Sequence, residues 1–325
     1  MTMRCIALLV PVLFFSACTA PEIPLPGITG KAGELVVVMD EKQWNGAAGD
    51  TVFNTLAQHV YGLPQPEPMF NVVHVRSSAF TRIFQTHRNL LIGNIGADLK
   101  PGIELKQDVW STPQIVIEIS APTVEKFMEL FDANANSIIG HVITKEQERI
   151  LKSYRAQLNT EVTEQLATSF GLKLSVPKGY NIIKQEGDFC WMRYDTDELS
   201  QNLIVYSEPY TRANTFFKEG MIASADTFLN RYVPGPTDGT FMTTYVEYPP
   251  AFEETSIDGR FASKLIGLWT VKGALMGGPF VYYSFLDRSE KRVIHIYGFV
   301  FAPGKDKRNY LRQVEAVISG SGLMP

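Results

Sequence analysis

The sequence predicts an α+β fold: an N-terminal α/β-type layer, joined by a long helix to a β-rich antiparallel sheet domain with flanking helices. Three observations predict it. Between residues 33 and 143, β-branched runs such as Glu34-Leu35-Val36-Val37-Val38-Met39-Asp40 alternate with segments of helical period. From Thr144 to Thr168 there is no Gly or Pro, and Ile150, Leu151, Tyr154, Leu158, Val162 and Leu166 recur at helical spacing. After Gly171 the apolar segments are strand-like and are separated by turn residues.

Residues 1–17 read as a signal peptide rather than as part of the fold. Arg4 gives a one-charge start, and residues 6–15 form an apolar run too short to span a bilayer. Small Ser16 and Ala17 then precede Cys18, a pattern that resembles the lipobox of bacterial lipoproteins and departs from it at Phe15, where Leu is commonest. Lipidation of Cys18 would make the membrane its first partner, with each buried methylene worth about 0.8 kcal/mol. The alternative is an ordinary signal peptide cut after Ala17 or Ala20. Residues 18–32, with Pro21, Pro24 and Pro26, read as a flexible tether.

The folded part, 33–143, opens with a strand over 34–40. Gly49-Asp50 starts a helix carrying Val52, Phe53, Leu56 and Val60. Residues 62–68 hold three prolines and form a loop. A strand over 70–75 leads to a helix capped by Ser77 or Ser78, with Phe80, Ile83 and Phe84 inward. Strands over 89–92 and 114–119 and a helix over 123–131 complete this layer. A connecting helix takes 144–170, and Thr144 with Gln147 fits a capping box at its start. In the last part, 171–325, strands are expected over 172–180, 189–194, 202–207, 241–248, 260–271, 280–286 and 292–301. Helices are expected over 215–232 and 309–318, and 287–291 is a hairpin connection.

Composition narrows the function classes. After removal of residues 1–17 the charge is 29 Lys and Arg against 34 Asp and Glu, or −5, which argues against a nucleic-acid partner. Cys190, in Phe189-Cys190-Trp191-Met192, reads as an inert core thiol on a buried strand, with no disulfide partner if Cys18 is lipidated. The apolar stretch 265–286 is broken by Lys272, Gly273, Gly277, Gly278 and Pro279, and so suits a strand pair rather than a membrane helix. No phosphate-binding Gly loop, Gly-x-Ser-x-Gly elbow or Ser/Lys motif occurs, so no cofactor is expected.

Four constellations bear on chemistry. Arg82, His87 and Arg88, with Arg76 and Ser77-Ser78 nearby, could hold a phosphate or carboxylate at a helix start; the alternative is a solvated basic face. His74 and His87 lie thirteen apart without a carboxylate at metal-motif spacing, so no metal is expected. Asp195-Thr196-Asp197-Glu198 lacks the rest of a calcium loop and reads as a turn. Tyr245, Tyr248 and Glu253, around Pro249-Pro250, could contact a sugar or peptide, or form the acidic rim of a rigid loop.

Segments 33–40, 62–71 and 80–89, with the lipobox-like start, are similar to a family of uncharacterised envelope lipoproteins of Bacteroidetes, a domain of unknown function. That resemblance implies an envelope location and no established activity. The order of Val176-Pro177-Lys178-Gly179-Tyr180, antiparallel strands and a terminal helix resembles PsbP-like and Mog1-like domains. The expected role is a non-enzymatic binding or envelope-assembly function on the periplasmic face of the outer membrane, with an envelope protein, glycan or lipid as partner. The alternative is a periplasmic hydrolase acting on glycan or peptide from a cleft between the two halves.

Overall fold

The structure is a computed structural model and describes residues 24–324. Cys18 and the signal segment lie outside the described residues.

Strand β1 (Glu34–Met39) is buried on both faces and so takes an interior place in a five-stranded sheet. Its end is turned by Asp40, whose carboxylate accepts the Lys42 N–H at 2.9 Å and caps the short helix α1 (Glu41–Trp44). Helix α2 (Ala47–Leu56) follows. Strand β2 (Asn71–Arg76) returns parallel to β1. The helix α3 (Arg82–Gln85) has only four residues, so Phe84 packs inward while Ile83 is exposed, contrary to the expected inward placement. Strands β3 (Asn89–Ile95), β4 (Gly102–Gln107) and β5 (Ile115–Ala121) complete the order β2-β1-β3-β5-β4, with β4 alone antiparallel. Val52, Leu56, Phe127 and Phe131 cover one face of this sheet, and Phe80, Phe84 and Trp110 pack on the other.

The helices expected over 123–131 and 144–170 are not divided there. One 32-residue helix, α4 (Val124–Arg155), runs through both, capped by Thr123. Its middle has no Pro, and Gly140 faces open space. The break comes at 156–159 instead. Asn159 accepts the Val162 N–H at 3.2 Å and donates to Tyr180 O at 2.8 Å, starting α5 (Thr160–Phe170).

The second half is a curled antiparallel sheet. A short β6 (Leu172–Lys173) precedes β7 (Asn181–Glu186), β8 (Phe189–Asp195) and β9 (Ser200–Pro209). Helix α6 (Lys218–Tyr232) leads to β10 (Phe241–Thr244). The segment read as a proline-containing loop is a loop only at its start. Ala251–Ile257 forms β11, pairing antiparallel with β12 (Arg260–Lys272), with Glu253, Thr255 and Ile257 on one face at strand period and Ile257 buried. Strands β13 (Ala274–Asp287) and β14 (Arg292–Phe301) complete the order β10-β12-β13-β14-β9-β8-β7. Helix α7 (Arg308–Ser319) packs on β14, where Gly298 leaves room for Val314 that a Cβ would occupy. Strand β15 (Gly322–Leu323) pairs with β6. The whole is an α+β fold.

The expected tether is not free over its described part. Pro26 O accepts the Thr112 N–H at 2.9 Å, and Thr29 bonds Thr86 O at 2.9 Å and the Arg88 N–H at 3.1 Å. These backbone bonds tie residues 26–30 to the edge of the first layer.

Candidate functional site

The sequence-predicted anion residues are not gathered into one opening. Arg82 is exposed on α3. His87 is buried, its Nε2 3.3 Å from Glu34 Oε2 and its Nδ1 3.3 Å from Asn89 O. Gly30, at φ +88°, lies so close over the imidazole that a Cβ would overlap it. Arg88 points elsewhere, its Nε 2.9 Å from Glu146 Oε1. His87 and Arg88 already face carboxylates and Arg82 stands apart from them, which is why no open anion site forms here. His74 stacks on Trp44 at 4.5 Å and its Nε2 faces Met39 O at 3.0 Å, apart from His87. Asp195 pairs with Arg193 at 2.6 Å beside the turn between β8 and β9. Among the described residues no group of three or more His, Cys, Asp and Glu is placed to hold a metal ion.

Two cavities do carry chemistry. The first opens at one end of the curled sheet and holds about 490 Å³. Its walls are Trp191 of β8, Trp269 of β12, Phe299 and Phe301 of β14, Met242 of β10 and Met276 of β13. The turn over 233–236 after α6 closes one side. The indoles are fixed by their own N–H groups: Trp191 Nε1 donates to Asn202 Oδ1 at 2.9 Å, and Trp269 Nε1 to Val300 O at 3.3 Å. Trp269 meets Phe299 edge to face at 5.4 Å. Each indole thus has its polar tip satisfied and its apolar body turned to the cavity. At the rim, Arg193 lies over the Trp191 ring at 5.7 Å. Leu275, beside Met276 at the β12–β13 turn, is fully exposed.

The second cavity, of about 630 Å³, lies between the halves. Ile139 and Ile143 of α4, with Ile266 and Leu311, form apolar walls, and Lys264, Glu315 and Arg312 line its polar side. Lys264 Nζ donates to Glu315 Oε1 at 2.8 Å and stands 3.2 Å from Glu253 Oε2; Tyr283 Oη donates to Glu315 Oε1 at 3.0 Å. Burial alone would raise the Glu315 pKa, but the Lys264 ammonium and the Tyr283 hydroxyl outweigh it and hold the carboxyl below its ordinary value. Burial likewise opposes the Lys264 charge, and Glu315 and Glu253 reverse that and raise its pKa. Arg312 is pulled down to about 10 by burial and by nearby Arg308.

Of the predicted ligand contacts, Glu253 lines this cavity. Tyr248 stacks at 4.8 Å on Tyr61, another lining residue, and Tyr245 is exposed elsewhere on the sheet, its N–H on Leu268 O at 2.8 Å. Lys264, Arg312 and Glu315 were not singled out from the sequence. The signal present is the spacing Arg308, Arg312, Glu315, Ser319, a polar stripe along one face of α7. The aromatic cavity left no such signal, because its residues alternate along strands like any core residue.

Residues 28–155 match the family described as Domain of unknown function (DUF8532), and residues 159–320 match that described as Domain of unknown function (DUF4837). No curated protein matches the chain. Among solved structures, the chain is similar to LpqN, involved in cell envelope biogenesis of Mycobacterium tuberculosis, at 13% identity over 47% of this chain and 83% of that one, TM-score 0.30. It is also similar to the human StarD13 (DLC2) lipid transfer and protein localization domain, at 9% identity over 48% and 94%, TM-score 0.22. Human STARD10 matches at 6% identity over 49% and 80%, TM-score 0.23. The two domain matches together support an uncharacterised protein family assembled from domains of unknown function.

Proposed function

We propose that this chain is a lipid-anchored envelope protein that binds a small apolar ligand in the aromatic cavity of its curled sheet. The observation that carries the binding reading is the cavity itself. Two indoles, two phenyl rings and two methionines face about 490 Å³ of open space, with their polar atoms already bonded. That volume is in the range of small-molecule sites, roughly 300–1,000 Å³, and such apolar linings suit uncharged ligands. Met242 and Met276 supply unbranched walls that adapt to different shapes. The fully exposed Leu275 at its mouth gives an apolar tip for a membrane or carrier to meet.

The envelope part of the proposal rests on the sequence around Cys18 and the resemblance to envelope lipoproteins. Thr19-Ala20-Pro21, with no acidic run, favours a periplasm-facing outer-membrane anchor. Pro26, where the described backbone bonds begin, is eight residues beyond Cys18. The body would then sit within ~28 Å of its anchor. Among the described residues no helix is long and apolar enough to cross a membrane.

The test has two arms. Mass spectrometry of membrane-extracted protein should find an acylated Cys18 N-terminus, and Cys18→Ala protein should be released; a membrane-bound Cys18→Ala form sinks the anchor. In the released protein, the neutral probe N-phenyl-1-naphthylamine should show saturable energy transfer from Trp191 and Trp269. Met276→Glu, which sets a charge at the mouth, should weaken that binding about tenfold. No saturable transfer, or unchanged binding in a folded Met276→Glu protein, sinks the ligand reading.

A further inference from the structure

The cavity between the halves has a different character from the aromatic one. Its lining charges are Lys264, Arg308 and Arg312 against Glu253 and Glu315, so one positive charge is left over in a chain whose formal charge is −4. Within that lining the cations are unequally served. Arg308 donates to Pro68 O, Asn71 Oδ1 and Asn309 Oδ1. Lys264 shares two carboxylates, but one of them, Glu253, is more than half exposed. Arg312 is the unmet group: Nη2 donates to Met69 O at 2.8 Å, while Nη1 has no hydrogen-bond partner. An unmet donor on a buried cation is stabilised when an acceptor arrives, and a charged acceptor serves best.

The same lining has a hydrocarbon part. Ile139 and Ile143 descend one face of α4 at helical spacing, and Ile266 and Leu311 meet them from the sheet and α7. A ligand filling about 630 Å³ would therefore present an acid to the cations and an apolar body to the hydrocarbon part.

We propose that the cleft binds an amphiphilic anion, its acid group between Lys264 and Arg312 and its apolar body along Ile139, Ile143 and Ile266. The acid can be a carboxylate or a phosphate ester, since both accept from a guanidinium and an ammonium. The exposed Glu253 would yield its place on Lys264 to that acid, while Glu315, held also by Tyr283, would stay. This site is separate from the aromatic cavity and does not rest on it.

Isothermal titration of the Cys18→Ala protein with decanoate, decyl phosphate, decanol and inorganic phosphate tests the assignment. Saturable binding of decanoate or decyl phosphate is expected, and which of the two binds tighter distinguishes a fatty acid from a phosphate-headed lipid as the source. Decanol should bind about tenfold more weakly, and so should the better anion to Arg312→Gln. Ile143→Trp, which fills the apolar wall and leaves every charge in place, should also lose binding. It should leave the N-phenyl-1-naphthylamine signal of the aromatic cavity intact, so the two readings can fail separately. Should Arg312→Gln not fold, as judged by thermal melting, the decanol and Ile143→Trp arms still decide. Equal affinity for decanol and decanoate, competition by inorganic phosphate at equal concentration, or undiminished binding by Ile143→Trp each overturns the proposal.

Discussion

Glu67 Oε2 accepts the backbone N–H of Arg308 at 2.9 Å, and Glu67 Oε1 accepts that of Lys307 at 2.6 Å. A buried residue of the proline loop in the first half therefore caps α7 in the second, where Lys307 offers no side-chain cap of its own. A carboxylate there meets both the free N–H groups and the positive end of the helix dipole. Glu67→Ala is expected to lower the unfolding free energy by about 1–2 kcal/mol, and Glu67→Gln by less, because an amide oxygen still accepts. Denaturant unfolding checks both; if Glu67→Ala matches the parent, the cap contributes nothing.

The start of β3 is joined to α4 by a charge network under the first sheet. Glu146 Oε1 accepts from Asn89 Nδ2 at 2.8 Å and Arg149 Nη1 at 2.7 Å, with Arg88 Nε at 2.9 Å. Burial pulls the Arg149 pKa down to about 10, and Glu146 works against that fall. Removing the carboxylate leaves two buried guanidinium groups facing each other, so Glu146→Ala should cost about 3–5 kcal/mol. Adding Arg149→Met should return part of the loss. A double variant no more stable than Glu146→Ala would mean that the network is not coupled.

Much of the fold was legible in the sequence, and the reasons for the rest are local. The runs around Val36, Leu203 and Ile294 mark central strands because strands buried on both faces are continuously apolar. Strand β4 was hidden because Glu104 and Lys106 make an edge strand look like a loop. The sequence hides the continuity of α4 because its middle, Asp132 to Asn136, is polar, and only packing on the sheet and α7 shows it continuous. Arg88 and His87 suggested an anion site because a sequence shows charge without its partner. Glu146 and Glu34, more than fifty residues away in each case, take that charge up.

Cys190 sits on β8 in the core of the curled sheet, and burial pushes its thiol pKa up to about 12. The thiolate is the reactive form, so at pH 8 the folded protein should hold almost none of it. In a protein of residues 18–325 carrying Cys18→Ala, Cys190 is the single thiol. Ellman's reagent should leave it untouched over hours at pH 8 and titrate one thiol per chain on unfolding in guanidinium. Prompt reaction in the native protein would show that the sheet opens at β8 far more often than its burial implies.

His295 is fully enclosed in the sheet, its Nδ1 2.6 Å from Tyr282 Oη and 2.8 Å from Ser284 Oγ. Its Nε2 faces Glu208 Oε1 at 3.3 Å. Burial lowers the His295 pKa below its ordinary 6.5, and the opposing pull of Glu208 does not restore it. The folded protein therefore keeps His295 neutral at a pH where the unfolded chain binds a proton. Unfolding takes up that proton, so stability falls as the pH drops through 6.5 towards the lowered folded value. Glu208 acts in the same direction at lower pH. The imidazole holds its carboxyl below the ordinary 4.5, so its stabilisation is full above that value and is lost as the pH falls through the lowered one. His295→Gln removes the first of these linkages and keeps a side chain of similar reach. Its unfolding free energy, lower at pH 7.5 by about 1–3 kcal/mol, should decline less steeply between pH 7 and pH 5 than that of the parent. Denaturant melts across that interval decide the point: parallel profiles would mean that His295 takes up its proton in the folded sheet as readily as in water, and that the enclosure by Tyr206, Tyr282 and Ser284 is open on the timescale of titration.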